Sequence, residues 1–201
     1  MHACEQAVGG LRRRHRFFVS WLQQNVDQLF PEGGVVVQGE VRSTCSGLHK
    51  RADAVLYMDN WAACKRYVLL ELDDREHRRI GLVEDMFRVN WFINARFPGA
   101  KVYVVRLNPD EYELSDGQRV RGPPLEHRLA RLVAVLRHIY TLRNPPGGYV
   151  RLIYLFYSPD RLKCLLHRAG CRLCTVEKDV EYTLVYRPHE DPGYLAARQT
   201  L

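Results

Sequence analysis

Two short acidic segments hold the residues best suited to chemistry. Asp53 follows Lys50-Arg51-Ala52 and stands at the start of the apolar run Ala54-Val55-Leu56-Tyr57, and eighteen residues later Tyr67-Val68-Leu69-Leu70 ends in Glu71-Leu72-Asp73-Asp74. Strand side chains alternate, so Glu71 and Asp73 share a face. Two carboxylates so placed repel each other unless water solvates them or a hard cation lies between them. If the two strands are neighbours, Asp53 approaches the pair and three carboxylates form a pocket for Mg²⁺ or Mn²⁺. A cation held there would activate water and neutralise the leaving oxygen of a phosphodiester. His77, four residues beyond Asp73, offers an imidazole to position water or protonate a leaving group. Glu84 and Arg88, four apart on the helix expected next, face the same way and would bring a further acid or a phosphate-binding cation.

Taken singly, each residue has a plainer role. An acidic run between strand and helix is commonly a solvated turn with Asp73 or Asp74 as the helix cap. His77 alone suits a surface position, and Glu84 with Arg88 suits a helix-surface ion pair. Their combination within one strand-turn-helix segment is what points to chemistry. A second cluster, Cys164, His167, Cys171 and Cys174, has the pattern C-x2-H-x3-C-x2-C, which offers four zinc donors in eleven residues. Cys45, His49 or Cys64 could complete a mixed Zn²⁺ site, and the plainer reading is buried cysteines acting as small hydrophobes.

The elements that must position these groups follow from periodicity. Phe17, Phe18, Trp21, Leu22, Val26 and Leu29 recur at helical spacing over Leu11 to Phe30, behind the cluster Arg12, Arg13, Arg14 and Arg16. Strands are expected over Val35 to Val41, Ala52 to Met58 and Tyr67 to Leu72, the last two close enough for a hairpin connection. A helical stripe Ile80, Val83, Phe87 and Trp91 ends near Pro98-Gly99, and Lys101 to Leu107 is a fourth strand. Leu125, Leu129, Leu132, Leu136 and Ile139 then mark a long helix after Pro123-Pro124, followed by a strand over Val150 to Tyr157. Beyond Pro159 the pattern predicts a helix at Asp160 to Arg168 and a strand at Tyr182 to Tyr186. The reading is an α/β chain: a mixed central sheet of about four to five strands flanked by helices over residues 1–158, with a small C-terminal extension over 159–201, packed on the core or apart from it.

The 201 residues suffice for a buried core, and 46% hydrophobic with 26% charged is a globular balance that makes fibrous or wholly disordered classes poor starting points. Net charge is +7, and with lysine only at 50, 65, 101, 163 and 178, twenty-five of the 30 cations are arginine. Arginine suits bidentate phosphate contacts, so a polyanionic partner is expected. The absence of a signal-like or membrane-length apolar run predicts a soluble intracellular chain with reduced cysteines and no membrane partner.

The run Lys50-Arg51-Ala52-Asp53, then Val68 to His77 with Glu71-Leu72-Asp73, then Glu84 and Arg88, then Val104-Val105-Arg106-Leu107-Asn108-Pro109-Asp110-Glu111-Tyr112, resembles the PD-(D/E)XK restriction-endonuclease-like superfamily. It is most similar to the branch related to very-short-patch-repair endonucleases, which includes nuclease-like proteins of large DNA viruses of algae and other protists. The resemblance covers Val35 to Leu114 well, and the later helix and strand more loosely. It implies a restriction-endonuclease-like core and a metal-dependent phosphodiesterase acting on DNA. Asp53 and Glu71 would be the metal-binding acids, with Asp73 a third catalytic and metal-binding candidate in the place where the general pattern has lysine. His77 would match the branch histidine. Lys50, Arg51 and Arg88 would bind substrate, with Glu40 and Glu84 as candidate additional acids. Ala52 stands where the motif has proline, which shapes backbone and supplies no chemistry. The missing lysine matters more, and Lys50, His77 or Arg88 would have to substitute for it.

Two functions remain open at this point. One is a Mg²⁺- or Mn²⁺-dependent DNA endonuclease whose arginines at Arg12 to Arg16 and at Arg119, Arg121, Arg128 and Arg131 grip phosphates. The other is a degenerate nuclease-fold protein that binds nucleic acid or a protein partner without cleavage. No G-x-S-x-G elbow or glycine-rich phosphate loop supports a small-molecule enzyme. The oligomeric state, a homodimer included, is not written in motifs of this length. A host cell or virion setting follows only from the viral resemblance.

Overall fold

Strands buried on both faces need apolar residues at nearly every position, and the long runs of this chain meet that demand. The computed structural model describes residues 2–43, 50–59, 66–73, 89, 92–93, 95–97, 100–113, 119–120, 124–142, 150–157, 175–177 and 183–186. Its long strands are β1 (Val35–Ser43), β2 (Lys50–Met58), β3 (Arg66–Leu72), β4 (Lys101–Leu107) and β7 (Val150–Leu155). Short strands β5 (Tyr112–Glu113) and β6 (Arg119–Val120) form a separate pair, while β8 (Thr175–Glu177) and β9 (Thr183–Tyr186) extend the main sheet. The helices are α1 (His2–Leu29) and α2 (Leu125–Thr141), and the described residues at 89, 92, 93, 95 and 96 are also helical.

The spatial order is β1-β2-β3-β4-β7-β9-β8. The β1–β2 and β2–β3 pairs are antiparallel, as the short connections require, whereas β3–β4 and β4–β7 are parallel. Parallel neighbours need a long crossover, and α2 lies in the connection from β4 to β7. The chain is therefore α/β with the mixed sheet expected. Three details differ: α1 begins at His2 rather than Leu11, the β5–β6 pair appears, and β8 joins the expected strand β9 in lengthening the sheet to seven strands. Strands of two or three residues, as in β5, β6 and β8, are too short to show a period. The stripe Ile80, Val83, Phe87 and Trp91 and the helix at 160–168 lie outside the described residues.

Each sheet face carries its own core. Leu56, Leu70, Val105 and Leu155 pack with Phe18 and Leu22 of α1 and with Leu132 and Leu136 of α2. On the other face Val55, Leu69, Val104 and Leu152 pack with Val89, Phe92, Ile93 and Phe97. Two glycines set the seat of α1. Gly34 has φ +72°, and its carbonyl accepts the Asp59 amide at 2.7 Å, joining the start of β1 to the end of β2. At Gly39 a Cβ would stand 2.6 Å from Val19 Cγ1, so the absence of a side chain lets α1 lie against β1.

Arg66, only 2% exposed at the head of β3, crosses to the C-terminus of α2. Its Nη1 donates to the Ile139 carbonyl at 2.5 Å and the Tyr140 carbonyl at 2.9 Å, and its Nη2 donates to the Leu142 carbonyl. A permanent cation thus meets the negative end of the helix dipole and the last orphan carbonyls together. Arg66→Met removes these donors from buried acceptors and is expected to cost roughly 3 kcal/mol or more, read as a lower urea midpoint with unchanged slope.

Candidate functional site

The ladder between β2 and β3 stops at Ala54↔Leu70. One step further, the same antiparallel register sets Asp53 opposite Glu71. There the strand pair opens: the Leu72 amide donates at 2.8 Å to Asp53 Oδ2 instead of to backbone. A carboxylate bonded to the amide of the next strand occupies the mouth of that opening. Its other oxygen, Oδ1, lies 3.2 Å from His15 Nδ1 on α1. His15 stands one helical turn before Val19, so the close approach allowed by Gly39 also brings His15 to Asp53.

Backbone geometry explains the opening. Glu40 lies between the pairs Gly39↔Ala54 and Val41↔Ala52, hence across from Asp53, and it has φ 47°, a region a non-glycine residue seldom adopts. Alternation fails there. Val37 packs with the core on the α1 side and Val41 with the opposite core, although both are odd-numbered; Ala52 and Val55 share a face although three apart. The phase slip turns Asp53 toward α1.

Glu71 and Asp73 are both buried, at 5% and 1% exposure. Glu71 pairs in parallel register with Arg106, itself 3% exposed. Arg106 Nε donates to Asp73 Oδ2 at 2.5 Å, and the Tyr157 hydroxyl donates to the same oxygen. Tyr157 arrives there because Phe156 has φ 63°, which reverses alternation and leaves Tyr154 and Tyr157 on one face, their rings 5.1 Å apart and edge-on. Burial pushes the Tyr157 phenol well above its ordinary value of 10.0, the Asp73 charge adds to the rise, and Arg106 opposes it.

The three-carboxylate pocket expected from Asp53, Glu71 and Asp73 is thus divided. Asp53 and Glu71 stand opposite in register at the β2–β3 opening, Asp53 turned toward α1 and Glu71, between Leu70 and Leu72 of the α1-side core, on the other face, while Asp73 is engaged by Arg106 and Tyr157. Among the described residues no group of three or more His, Cys, Asp and Glu side chains is placed to hold one metal ion. Glu40 is exposed and opposite Asp53 in register. Lys50 and Arg51 sit on β2 opposite Ser43 and Arg42. His77, Glu84, Arg88, and the cluster Cys164, His167, Cys171 and Cys174 lie outside the described residues. Arg128, expected to grip phosphate, instead serves the fold: it is buried, and its Nη1 donates to the carbonyls of Asn108 at 2.7 Å and Asp110 at 2.8 Å.

His15, Arg106 and Tyr157 are not among the expected site residues, although Arg106 stands in the motif run Val104 to Tyr112. Two of them left a signal. His15 shares the helical stripe of Phe18, Val19 and Leu22, and Arg106 is a charge inside the apolar strand Val102 to Leu107, where burial demands a partner. Tyr157 left none, because its position depends on one left-handed residue. Compared with protein-family models, with curated proteins and with solved structures, the chain finds no match.

Two outcomes are expected. Asp73→Asn removes a counter-charge from a buried guanidinium and should cost about 3–5 kcal/mol in chemical unfolding, equally with and without Mg²⁺. Tyr157 keeps its proton where an unfolded tyrosine loses it, so its stabilisation is complete below about pH 10 and is lost as pH rises through the higher folded value. Thermal unfolding followed from about pH 9 to pH 11 should fall less steeply for Tyr157→Phe than for the parent chain.

Proposed function

We propose that the chain is a metal-dependent nuclease of restriction-endonuclease-like type that hydrolyses DNA phosphodiester bonds. The observation that carries this reading is the opposition of Asp53 and Glu71, two buried carboxylates on neighbouring strands, at the point where their ladder opens. A cation held between them would relieve the repulsion of like charges so buried. Hard oxygen donors suit Mg²⁺ or Mn²⁺, and Mg²⁺ commonly takes one or two carboxylates with water and substrate phosphate completing its shell. As hard oxygen donors Asp53 and Glu71 suit that shell without Asp73, and a bound metal would have to draw the two carboxylates together through the β2–β3 opening.

Bound there, the metal would supply an activated water and neutralise charge on the leaving oxygen. The rest of the work falls to the chain. Leu72 N–H and His15 orient the Asp53 carboxylate, and the His15 imidazole can hold or release a proton beside it. Arg106, adjacent to Glu71 in register, places a permanent positive charge where the motif lacks its lysine. Asp73 and Tyr157 act as positioning residues that fix this guanidinium. The +7 balance draws a polyanion toward the acidic opening.

A second reading, DNA or protein-partner binding without cleavage, is favoured by the commitment of Asp73 to Arg106. A plasmid assay separates the two. With Mg²⁺ or Mn²⁺ the parent chain should nick supercoiled DNA and chelator should stop it. Asp53→Asn and Glu71→Gln should each lose more than the roughly 10–100-fold that outer-shell changes cost. Nicking that survives in both variants removes the site assignment, and binding without nicking in either metal selects the second reading.

A further inference from the structure

A cavity of about 530 Å³ lies between α1, the start of α2 and the C-terminal ends of β3 and β4. Cavities of roughly 300–1,000 Å³ take small molecules, and in open α/β sheets ligands gather at the carboxyl ends of parallel strands. Phe17 and Trp21 of α1 line it together with Leu72 and Leu107 at the strand ends, and the lining turns polar at Asp110, Glu111 and Arg128. Phe17 is 59% exposed and packs in neither core, so its ring is open to a ligand.

The cavity adjoins the acidic opening through two connections. Leu72 lines it while its own amide is bonded to Asp53, and α1 carries both His15 at Asp53 and the rings at Phe17 and Trp21. Arg12, Arg13, Arg14 and Arg16 precede those rings on the same helix, and Arg16 is exposed. A flat ring with a polar edge, attached to a phosphate, matches an aromatic-lined cavity with a polar end beside a cationic stretch of helix. Arg16, exposed and next to Phe17, would meet a phosphate as the ring enters.

We propose that this cavity receives one unstacked nucleobase of a single-stranded or locally opened nucleic acid strand whose backbone runs past Asp53 and Glu71. This rests on the nucleic-acid reading above and adds what that reading lacks, a reason for the protein to prefer strands with unpaired bases. Stacking on aromatic side chains tolerates any base, so the preference is for unpairing rather than sequence.

The test compares two fluorescein-labelled oligonucleotides of equal length, one of deoxyadenosines and one of abasic sugar-phosphate units, by anisotropy in chelator so that cleavage plays no part. The base-bearing strand should bind at least about tenfold more tightly. Phe17→Ala and Trp21→Leu should each remove most of that preference while leaving abasic binding within about twofold, since the phosphate contacts remain. Phe17 is exposed, so its variant reads the cavity even if the Trp21 variant fails to fold. Equal binding of the two strands, or a preference that survives Phe17→Ala, overturns this inference alone. Binding of neither strand overturns it together with the nucleic-acid reading.

Discussion

A carboxylate and a guanidinium, each almost wholly removed from water, hold the C-terminal ends of β3 and β4 together. Asp73 is 1% exposed and Arg106 3%, and each charge offsets the cost of burying the other. Their pairing requires β4 to lie beside β3 in the register Glu71↔Arg106, which requires a parallel crossover from one to the other. It also draws in Tyr157 from the end of β7, so three strand ends converge on one carboxylate oxygen. The neighbouring Asp53 and Glu71 stand against this fixed background.

Left-handed residues frame the same region from two sides. Glu40 on β1 and Phe156 after β7 have positive φ, a conformation that costs free energy for side chains of their size. Each shifts the alternation of its strand by one. At Glu40 the consequence is that Asp53 turns from the sheet ladder toward α1. At Phe156 it is that Tyr157 joins Tyr154 on the face of Asp73, while the Arg128 guanidinium lies 5.4 Å over the Phe156 ring. Strain placed where strands end lets side chains from β2 and the β7 end leave the pleat.

Cations carry much of the architecture. Arg66 closes the end of α2, Arg128 binds the carbonyls of the β4–β5 connection, and Arg106 neutralises Asp73. Counting arginine as a sign of phosphate binding therefore credits to a partner some charges that the fold consumes. The helical stripe of α1, the strands near Asp53 and Glu71, and the α2 heptad-like spacing were legible because each spans enough residues to display a period. The β5–β6 pair and β8 were not, since two or three residues have none.

The amino-acid sequence alone determined the long strands, the hairpin between β2 and β3, the parallel crossovers, and the placing of Asp53 and Glu71 on two strands joined by a short connection. These follow from side-chain volume, polarity and periodicity, all local properties. The partners of the charges were decided by tertiary structure. Spacing made Asp73 a companion of Glu71, whereas folding set it against Arg106, thirty-three residues away, and Tyr157, eighty-four away. A buried charge is stabilised by whatever opposite charge the neighbouring strand presents, and that neighbour exists only once the sheet has formed. His15 belongs with them, because its meeting with Asp53 depends on how closely a glycine on β1 lets α1 approach.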